Sequence, residues 1–141
     1  MIDKDLIIAK AGSVNKYLSR IREKSNADLE SFLGDIDRQE IILFNIQMAI
    51  QNCVDIAAHI ISEEGLGVPG STNEMFYLLE ENGYLSNELT EKMVMAIGFR
   101  NLMVHEYGKI EIDRVYEIAK TDIQGLTDYL ALIFNKLGLA P

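Results

Sequence analysis

The sequence predicts an all-α protein, an up-and-down bundle of four long helices with short extra helices between them. Apolar residues recur at intervals of three and four residues, the spacing of one helical face, along most of the 141 residues. No segment shows the strict alternation of apolar and polar residues that indicates a half-buried strand. Only 2 prolines and 10 glycines are present, which argues against a sandwich of many strands and turns.

The first helix is predicted to run to Lys24, and a short turn of helix follows over residues 29–33, where Gly34 stops it. The apolar side chains of the first helix form one stripe at helical spacing: Leu6, Ile7, Val14, Tyr17, Leu18 and Ile21.

The central helix is predicted over residues 37–64. Asp37 has the position of an N-cap and Glu40 that of its reciprocal partner in a capping box. The segment GLGVPGST, residues 65–72, breaks this helix because it is rich in glycine and contains a proline.

Two further helices are predicted between residues 71 and 108. Ser71 opens a second capping box and a short helix that is expected to end at Asn82-Gly83. Ser86 caps the fourth helix, which is expected to continue toward Tyr107 with Gly108 as its stop.

The last helix is predicted to begin at Asp113, as its cap, and to end at Gly138. Its apolar stripe contains Val115, Ile118, Ala119, Leu126, Tyr129, Leu130, Ile133 and Leu137. We find no repeat, linker or low-complexity tract, so residues 1–141 are expected to form a single domain.

The composition excludes several classes of function. There are 13 basic and 22 acidic residues, a net charge of −9, which argues against a broad nucleic-acid binder. Seven glutamates and no basic residue lie in residues 63–91, whereas residues 92–120 carry five basic and four acidic side chains. A small site that contacts one phosphate, with a shallow salt dependence, is still compatible with this distribution. The single Cys53 excludes a disulfide framework and a zinc site of several cysteines.

The chain is expected to be cytoplasmic and free of membrane segments. Its N-terminus lacks the basic segment and long apolar run of a signal peptide. Residues 41–61 are long enough to span a bilayer but include Asp55, and a central aspartate costs about 2.5–3.5 kcal/mol there.

Polar side chains on the central helix fall within an arc of about 100°. They are Asn45, Asn52, Asp55, His59 and Ser62. Asp55 and His59 are i, i+4 neighbours, so the carboxylate can orient the imidazole or raise its pKa. Two interpretations stay open: a solvent-exposed face, or a buried or interfacial polar groove.

The segment GFRNLMVHEYG, residues 98–108, contains the side chains most suited to chemistry. The planar fork of Arg100 matches a phosphate, and His105 can transfer protons near neutral pH. In RNA, a general base can activate the 2′-hydroxyl to attack its own phosphate without a metal. The alternative is a core histidine and an arginine in a surface ion pair, for example with Glu106.

Helical projection does not place these side chains on one face. In a continuous helix Arg100 and Tyr107 lie about 20° apart and Asn101 and His105 about 40° apart, but Arg100 and His105 lie about 140° apart. Either the helix ends near His105, or Arg100 and His105 border a cleft.

The pattern Arg-x4-His-x-Tyr, here RNLMVHEY, resembles the signature of HEPN proteins, specifically of their HepT-like branch. Upstream, QNCVDIAAHII resembles the second polar segment of that branch, and downstream GKIEIDRVYEIA resembles the opening of its last helix. The predicted order of helices agrees along nearly the whole chain.

This resemblance implies an all-α HEPN bundle that forms a homodimer and brings two copies of the motif together across a cleft. It implies a metal-independent ribonuclease that is the toxin of a toxin–antitoxin pair. Arg100 would hold phosphate, His105 would act as general acid and base, and Tyr107 would be modified with AMP by a minimal nucleotidyltransferase of the MntA type. The expected cleft-lining residues are Asn52, Asp55, His59 and Asn101.

No metal or cofactor is expected in this chain, and neither DNA nor a membrane is an expected partner. ATP would be used by the nucleotidyltransferase, because no phosphate-binding loop ending in Gly-Lys-Ser/Thr is present. Two other functions stay open: a non-catalytic, substrate-binding subunit of a nucleotidyltransferase complex, or a structural bundle with a vestigial motif.

Overall fold

The computed structural model describes residues 1–140 and confirms the all-α prediction, since no residue in that range lies in a strand. The helices are α1 (Lys4–Lys24), α2 (Leu29–Leu33), α3 (Ile36–Glu64), α4 (Thr72–Glu81), α5 (Asn87–His105), α6 (Ile112–Glu117) and α7 (Gln124–Leu137). A 3₁₀ turn, Tyr107–Lys109, separates α5 from α6. A π-helical turn, Ile118–Asp122, joins α6 to α7.

Helix α3 is the core helix, as predicted. Helix α1 packs antiparallel along it, since Lys10 contacts Asp55 near one end and Arg38 donates to the Lys24 carbonyl near the other. Helices α4, α5, α6 and α7 also contact α3. Within the described chain α3 alone is long and apolar enough to cross a membrane, but 56% of its most apolar stretch is buried inside the protein.

The last helix is tied to the core helix by a buried tyrosine. The hydroxyl of Tyr129, which is fully buried, donates to the Cys53 carbonyl at 2.9 Å, and the Tyr129 ring lies 5.7 Å from that of Phe76. Burial raises the pKa of both the Tyr129 hydroxyl and the Cys53 thiol. Cys53 therefore acts as a small apolar residue of the core.

The serine caps are confirmed, but the reciprocal half of the predicted capping box is not, because the Glu74 carboxylate accepts the Gly70 N–H and not that of Ser71. The side chain of Ser71 accepts the Glu74 N–H, and that of Ser86 accepts the Leu89 N–H, each at 3.2 Å. Helix α7 ends at Gly138, whose φ of 68° is the left-handed conformation of a glycine cap.

The predicted cap of the core helix is wrong by two residues. Helix α3 begins at Ile36, and the side chain of Asp35, not Asp37, accepts the Arg38 N–H at 3.0 Å. Asp37 already lies inside the first turn. Both aspartates fit the sequence pattern, but the end of α2 fixes the start of α3, because Gln39 donates to the Phe32 carbonyl at 2.8 Å.

The predicted stop of α5 and the predicted cap of α6 are also wrong. Helix α5 ends at His105, because Glu106 leaves the helical region with φ −138° and ψ 50°. Gly108 does not have a positive φ, so it is not a left-handed cap. Helix α6 begins one residue before Asp113, whose carboxylate accepts only the adjacent Arg114 N–H.

Candidate active site

The side chain of Arg100 is directed from α5 onto the core helix. Its Nη2 donates to Oε1 of Gln51 at 2.5 Å, and its Nη1 donates to Oδ1 of Asn101 at 3.2 Å. The Nε atom is buried and has no acceptor among residues 1–140. A buried donor without an acceptor costs about 1–3 kcal/mol, so this guanidinium is incompletely satisfied in a single chain.

Arg100 has no carboxylate partner among residues 1–140, because both of its acceptors are neutral amides. The predicted alternative, an ion pair with Glu106, is wrong, since Glu106 pairs with Lys109 at 3.0 Å. The positive charge of this half-buried guanidinium is not compensated by a carboxylate, so it can attract an anion. Its fork of N–H groups matches the geometry of a phosphate.

Gln51 connects Arg100 to a carboxylate and an ammonium group. Its Nε2 donates to Oδ1 of Asp55 at 2.9 Å, and Oδ2 of Asp55 accepts from Nζ of Lys10 at 3.1 Å. The hydrogen bonds thus run from α1 through one turn of α3 to α5. They place Asp55 two side chains away from Arg100.

The structure does not show the expected pairing of Asp55 with His59. Nε2 of His59 accepts the backbone N–H of Asp3, the N-cap of α1, at 2.9 Å. The imidazole therefore bonds to α1 and not to Asp55. Lys10 and Gln51 supply the partners of Asp55 instead. His59 lies two turns of α3, about 12 Å, from Gln51.

The amides of the polar arc are buried, which contradicts the interpretation of a solvent-exposed face at their positions. Asn45 donates to the Ile41 carbonyl at 2.7 Å and Asn52 to the Met48 carbonyl at 2.8 Å. Ser62 is exposed at the far end of the helix. In one chain, Asn52 is therefore engaged by its own helix.

His105 and Tyr107 lie at the C-terminal end of α5 and are exposed to solvent. The alternative of a core histidine is therefore wrong. Tyr107 is 59% exposed, and its hydroxyl has no hydrogen-bond partner within residues 1–140. Because Tyr107 lies in a 3₁₀ turn beyond the helix, its predicted alignment with Arg100 in helical projection does not hold.

One chain does not bring Arg100 and His105 together on one face. Both lie within the same helix, so they are separated by about 140° around its axis and about 7.5 Å along it. The structure groups Arg100 with Asn101, Gln51 and Asp55. It leaves the imidazole of His105 accessible from outside the bundle.

Gln51 and Lys10 are site residues that the sequence reasoning missed. Gln51 is four residues before Asp55, so the i, i+4 spacing of an amide and a carboxylate was a usable signal. Lys10 had no such signal, because its contact with Asp55 depends on how α1 packs against α3.

Neither of two surface depressions includes the motif. An open groove lies between α1 and α3 and is lined by Lys16, Tyr17, Arg20 and Phe44. A cavity of about 380 Å³ between α5 and the π turn has Phe99 and Ile118 in its wall. Within the described residues no three His, Cys, Asp or Glu side chains cluster as metal ligands would.

Comparison with known families gives a match over most of the chain. The family described as Ribonuclease HepT-like matches residues 14–133. The mRNA nuclease HepT of Shewanella oneidensis is 28% identical over 129 residues, which cover 92% of this chain and 96% of that protein. The tRNA nuclease HepT of Aphanizomenon flos-aquae is 28% identical over 136 residues, 96% of this chain and 92% of that protein.

A solved structure has the same fold over almost the whole chain. It is the tri-AMPylated Shewanella oneidensis HEPN toxin in complex with MNT antitoxin, which is 27% identical and superposes with a TM-score of 0.86. The superposition covers 93% of this chain and 98% of the toxin.

Proposed function

The chain belongs to the HepT-like ribonuclease family, and we propose that it is a metal-independent endoribonuclease and the toxin of a toxin–antitoxin pair. The proposal rests mainly on the burial and the hydrogen-bond partners of Arg100. Its guanidinium is half-buried, held by two neutral amides and not paired with a carboxylate among residues 1–140. Such a group suits a single phosphate of a bound RNA.

We propose that His105 supplies acid–base chemistry at that phosphate. A neutral imidazole removes the proton of the RNA 2′-hydroxyl, and the oxygen attacks the adjacent phosphorus. The new O2′–P bond forms as the P–O5′ bond breaks, and an imidazolium protonates the leaving O5′. The products are a 2′,3′-cyclic phosphate and a 5′-hydroxyl, and Arg100 balances the negative charge on the transferring phosphate.

The complete site is proposed to form between two copies of the chain. In one copy Arg100 and His105 point about 140° apart, whereas a homodimer can place His105 of one copy beside Arg100 of the other. One imidazole can accept the 2′-hydroxyl proton and then donate a proton to O5′, so one His105 in the cleft is sufficient and the second would increase the rate. Asn101, Asn52, Asp55 and His59 are proposed to line or support this cleft.

We propose that a minimal nucleotidyltransferase silences the toxin by transferring AMP to Tyr107. The phenol oxygen attacks the α-phosphorus of ATP held by the partner, pyrophosphate leaves, and the phenol proton passes to a base. The exposed hydroxyl of Tyr107 supports this role. The added phosphodiester is bulky and negative, two residues from His105, so it would exclude RNA from the cleft. The reaction is proposed to take place in the cytoplasm.

RNA cleavage in EDTA tests the nuclease. Wild-type protein is expected to cleave total RNA and leave 2′,3′-cyclic phosphate ends. Arg100→Ala and His105→Ala are each expected to lose activity by about 10²-fold or more, which is the usual contribution of such groups.

Arg22→Ala is the matched control, because Arg22 is an exposed arginine whose guanidinium donates to the hydroxyl of Thr127, away from the motif. It should cleave like the wild type. Equal activity in all variants would indicate a contaminant, and activity only with added metal would contradict metal independence. No cleavage together with AMP acceptance would favour the non-catalytic subunit.

A further inference from the structure

The amide of Gln51 has one possible orientation in its hydrogen-bonded chain. An ionised carboxylate only accepts, so the NH₂ end of Gln51 faces Asp55, and a guanidinium only donates, so the carbonyl end faces Arg100. Lys10 holds Asp55 from the other side. The carbonyl oxygen of Gln51 is thereby directed at Arg100 by contacts that do not involve Arg100 itself.

Gln51 fills only half of the guanidinium edge that it covers. Nε and Nη2 lie on the same edge, and together they form the pair of parallel donors that binds two oxygens of one anion. The Gln51 carbonyl accepts from Nη2, while Nε is buried without an acceptor in the described chain. Two oxygens of one phosphate can accept from both Nε and Nη2, whereas the single carbonyl oxygen of Gln51 accepts only from Nη2.

Gln51 also separates opposite charges. Asp55 is the carboxylate next in this hydrogen-bonded chain, and its charge is balanced by Lys10 at 3.1 Å. The other half-buried arginines, Arg38 and Arg114, each pair with a carboxylate, whereas Arg100 has a neutral amide in that place.

We propose that Gln51 is a positioning residue that acts as a neutral placeholder for the RNA phosphate. It orients Arg100 toward its Nε–Nη2 edge, leaves the guanidinium charge uncompensated, and is displaced when a phosphate binds both donors. The inference rests on the proposed nuclease function and deepens it by assigning the phosphate to one edge of Arg100.

Two substitutions of similar length separate positioning from charge. Gln51→Glu puts a carboxylate on Arg100, which is expected to compete with phosphate and raise the KM for RNA by about tenfold or more. Gln51→Met removes the acceptor without adding charge. It is expected to lower kcat through loss of orientation, while KM changes less than about threefold.

Gln47→Glu is the control for added charge, since it places the same carboxylate on α3 one turn away. It is expected to keep the wild-type KM. Circular dichroism shows whether each variant is folded. Equal KM values in the wild type and Gln51→Glu, or equal losses in Gln51→Glu and Gln51→Met, would overturn the inference and reduce Gln51 to a structural role.

A second measurement does not depend on catalysis. The Arg100 Nε–H resonance is assigned by its disappearance in Arg100→Lys and followed by NMR during titration with inorganic phosphate at constant ionic strength. It is expected to shift in the wild type and to stay unchanged in Gln51→Glu. An unchanged resonance in the wild type would overturn the inference.

The two measurements distinguish the inference from the function. If the Arg100 Nε–H resonance shifts with phosphate but the protein does not cleave RNA, the nuclease function is contradicted. The proposal that Gln51 gives way to a phosphate at Arg100 is then still supported. If RNA cleavage needs Arg100 but the Gln51→Glu variant has a wild-type KM, the nuclease function is supported and the role proposed for Gln51 is contradicted.

Discussion

Arg100 shows how much one residue's role depends on its partners. The motif spacing identified Arg100, His105 and Tyr107 as candidates, but it did not show that the Arg100 guanidinium donates to two amides or that His105 is exposed. Those facts depend on packing between α3 and α5, which helical periodicity does not describe. Gln51 could be found from its spacing to Asp55, whereas Lys10 could not, since α1 brings it there.

Tyr107→Phe is expected to keep toxicity and to escape silencing by a co-expressed nucleotidyltransferase. The substitution removes only the hydroxyl that is proposed to accept AMP and leaves Arg100 and His105 intact. The measurement is growth on co-expression, together with the mass of the purified protein, which should lack added AMP.

Tyr77→Phe is the matched control for this experiment. Tyr77 is also exposed, at 37%, but its hydroxyl donates to Glu91 at 3.0 Å on another part of the surface. This variant should be silenced like the wild type. If the Tyr107→Phe protein still gains AMP and is neutralised through it, Tyr107 is not the acceptor.

At the scale of helices, serine caps were predictable and aspartate caps were not. Ser71 stands three residues before Glu74, which is the spacing of a capping box, and Ser86 directly precedes the helical repeat of α5. Asp35 and Asp37 are two residues apart and both fit, so the choice depended on the turn that ends α2. The end of α5 at His105 was left open by the sequence, and this boundary sets the separation of His105 from Arg100.

The cap of α3 gives a pH-dependent prediction. The Arg38 N–H that donates to the carboxylate holds the pKa of Asp35 below its ordinary value of 3.8. A lowered folded-state pKa stabilises the protein fully above the unfolded value, and this stabilisation is lost as the pH falls through the lower folded value. Asp35→Ala is therefore expected to lower Tm at neutral pH, and its Tm should approach that of the wild type as the pH falls well below 3.8.

Thermal denaturation across the pH range measures this convergence. Asp37→Ala is the control, since Asp37 lies in the first turn of α3 without a capping hydrogen bond in the described chain, so it should lower Tm at neutral pH by less than Asp35→Ala does. A Tm difference for Asp35→Ala that is independent of pH, or a larger loss in Asp37→Ala, would contradict the assignment of the cap.

At the scale of the molecule, most of the net charge of −9 comes from residues 63–91 and not from the segment that carries Arg100 and His105. The acidic residues 63–91 end at Glu91, which lies about 13 Å before Arg100 along α5. That separation exceeds the Debye length of about 8–10 Å near physiological salt, so exposed glutamates there are largely screened from Arg100. An acidic protein can in this way present one local phosphate site.

The helical bundle followed from the sequence because apolar spacing reports directly on helix faces. The proposed homodimer did not follow from the sequence, because the spacing of apolar residues does not show which exposed surface contacts a second copy of the chain. We propose that a homodimer brings Arg100 of one copy beside His105 of the other.

Mixing two inactive variants tests that claim most directly. Arg100→Ala and His105→Ala proteins are unfolded together, refolded as a mixture and assayed for RNA cleavage in EDTA, beside each variant refolded alone. Heterodimers contain one cleft with an intact Arg100 from one copy and an intact His105 from the other, so the mixture is expected to regain activity. Heterodimers that form, as shown by differently tagged copies that co-purify, and yet stay inactive would contradict a site shared between two chains.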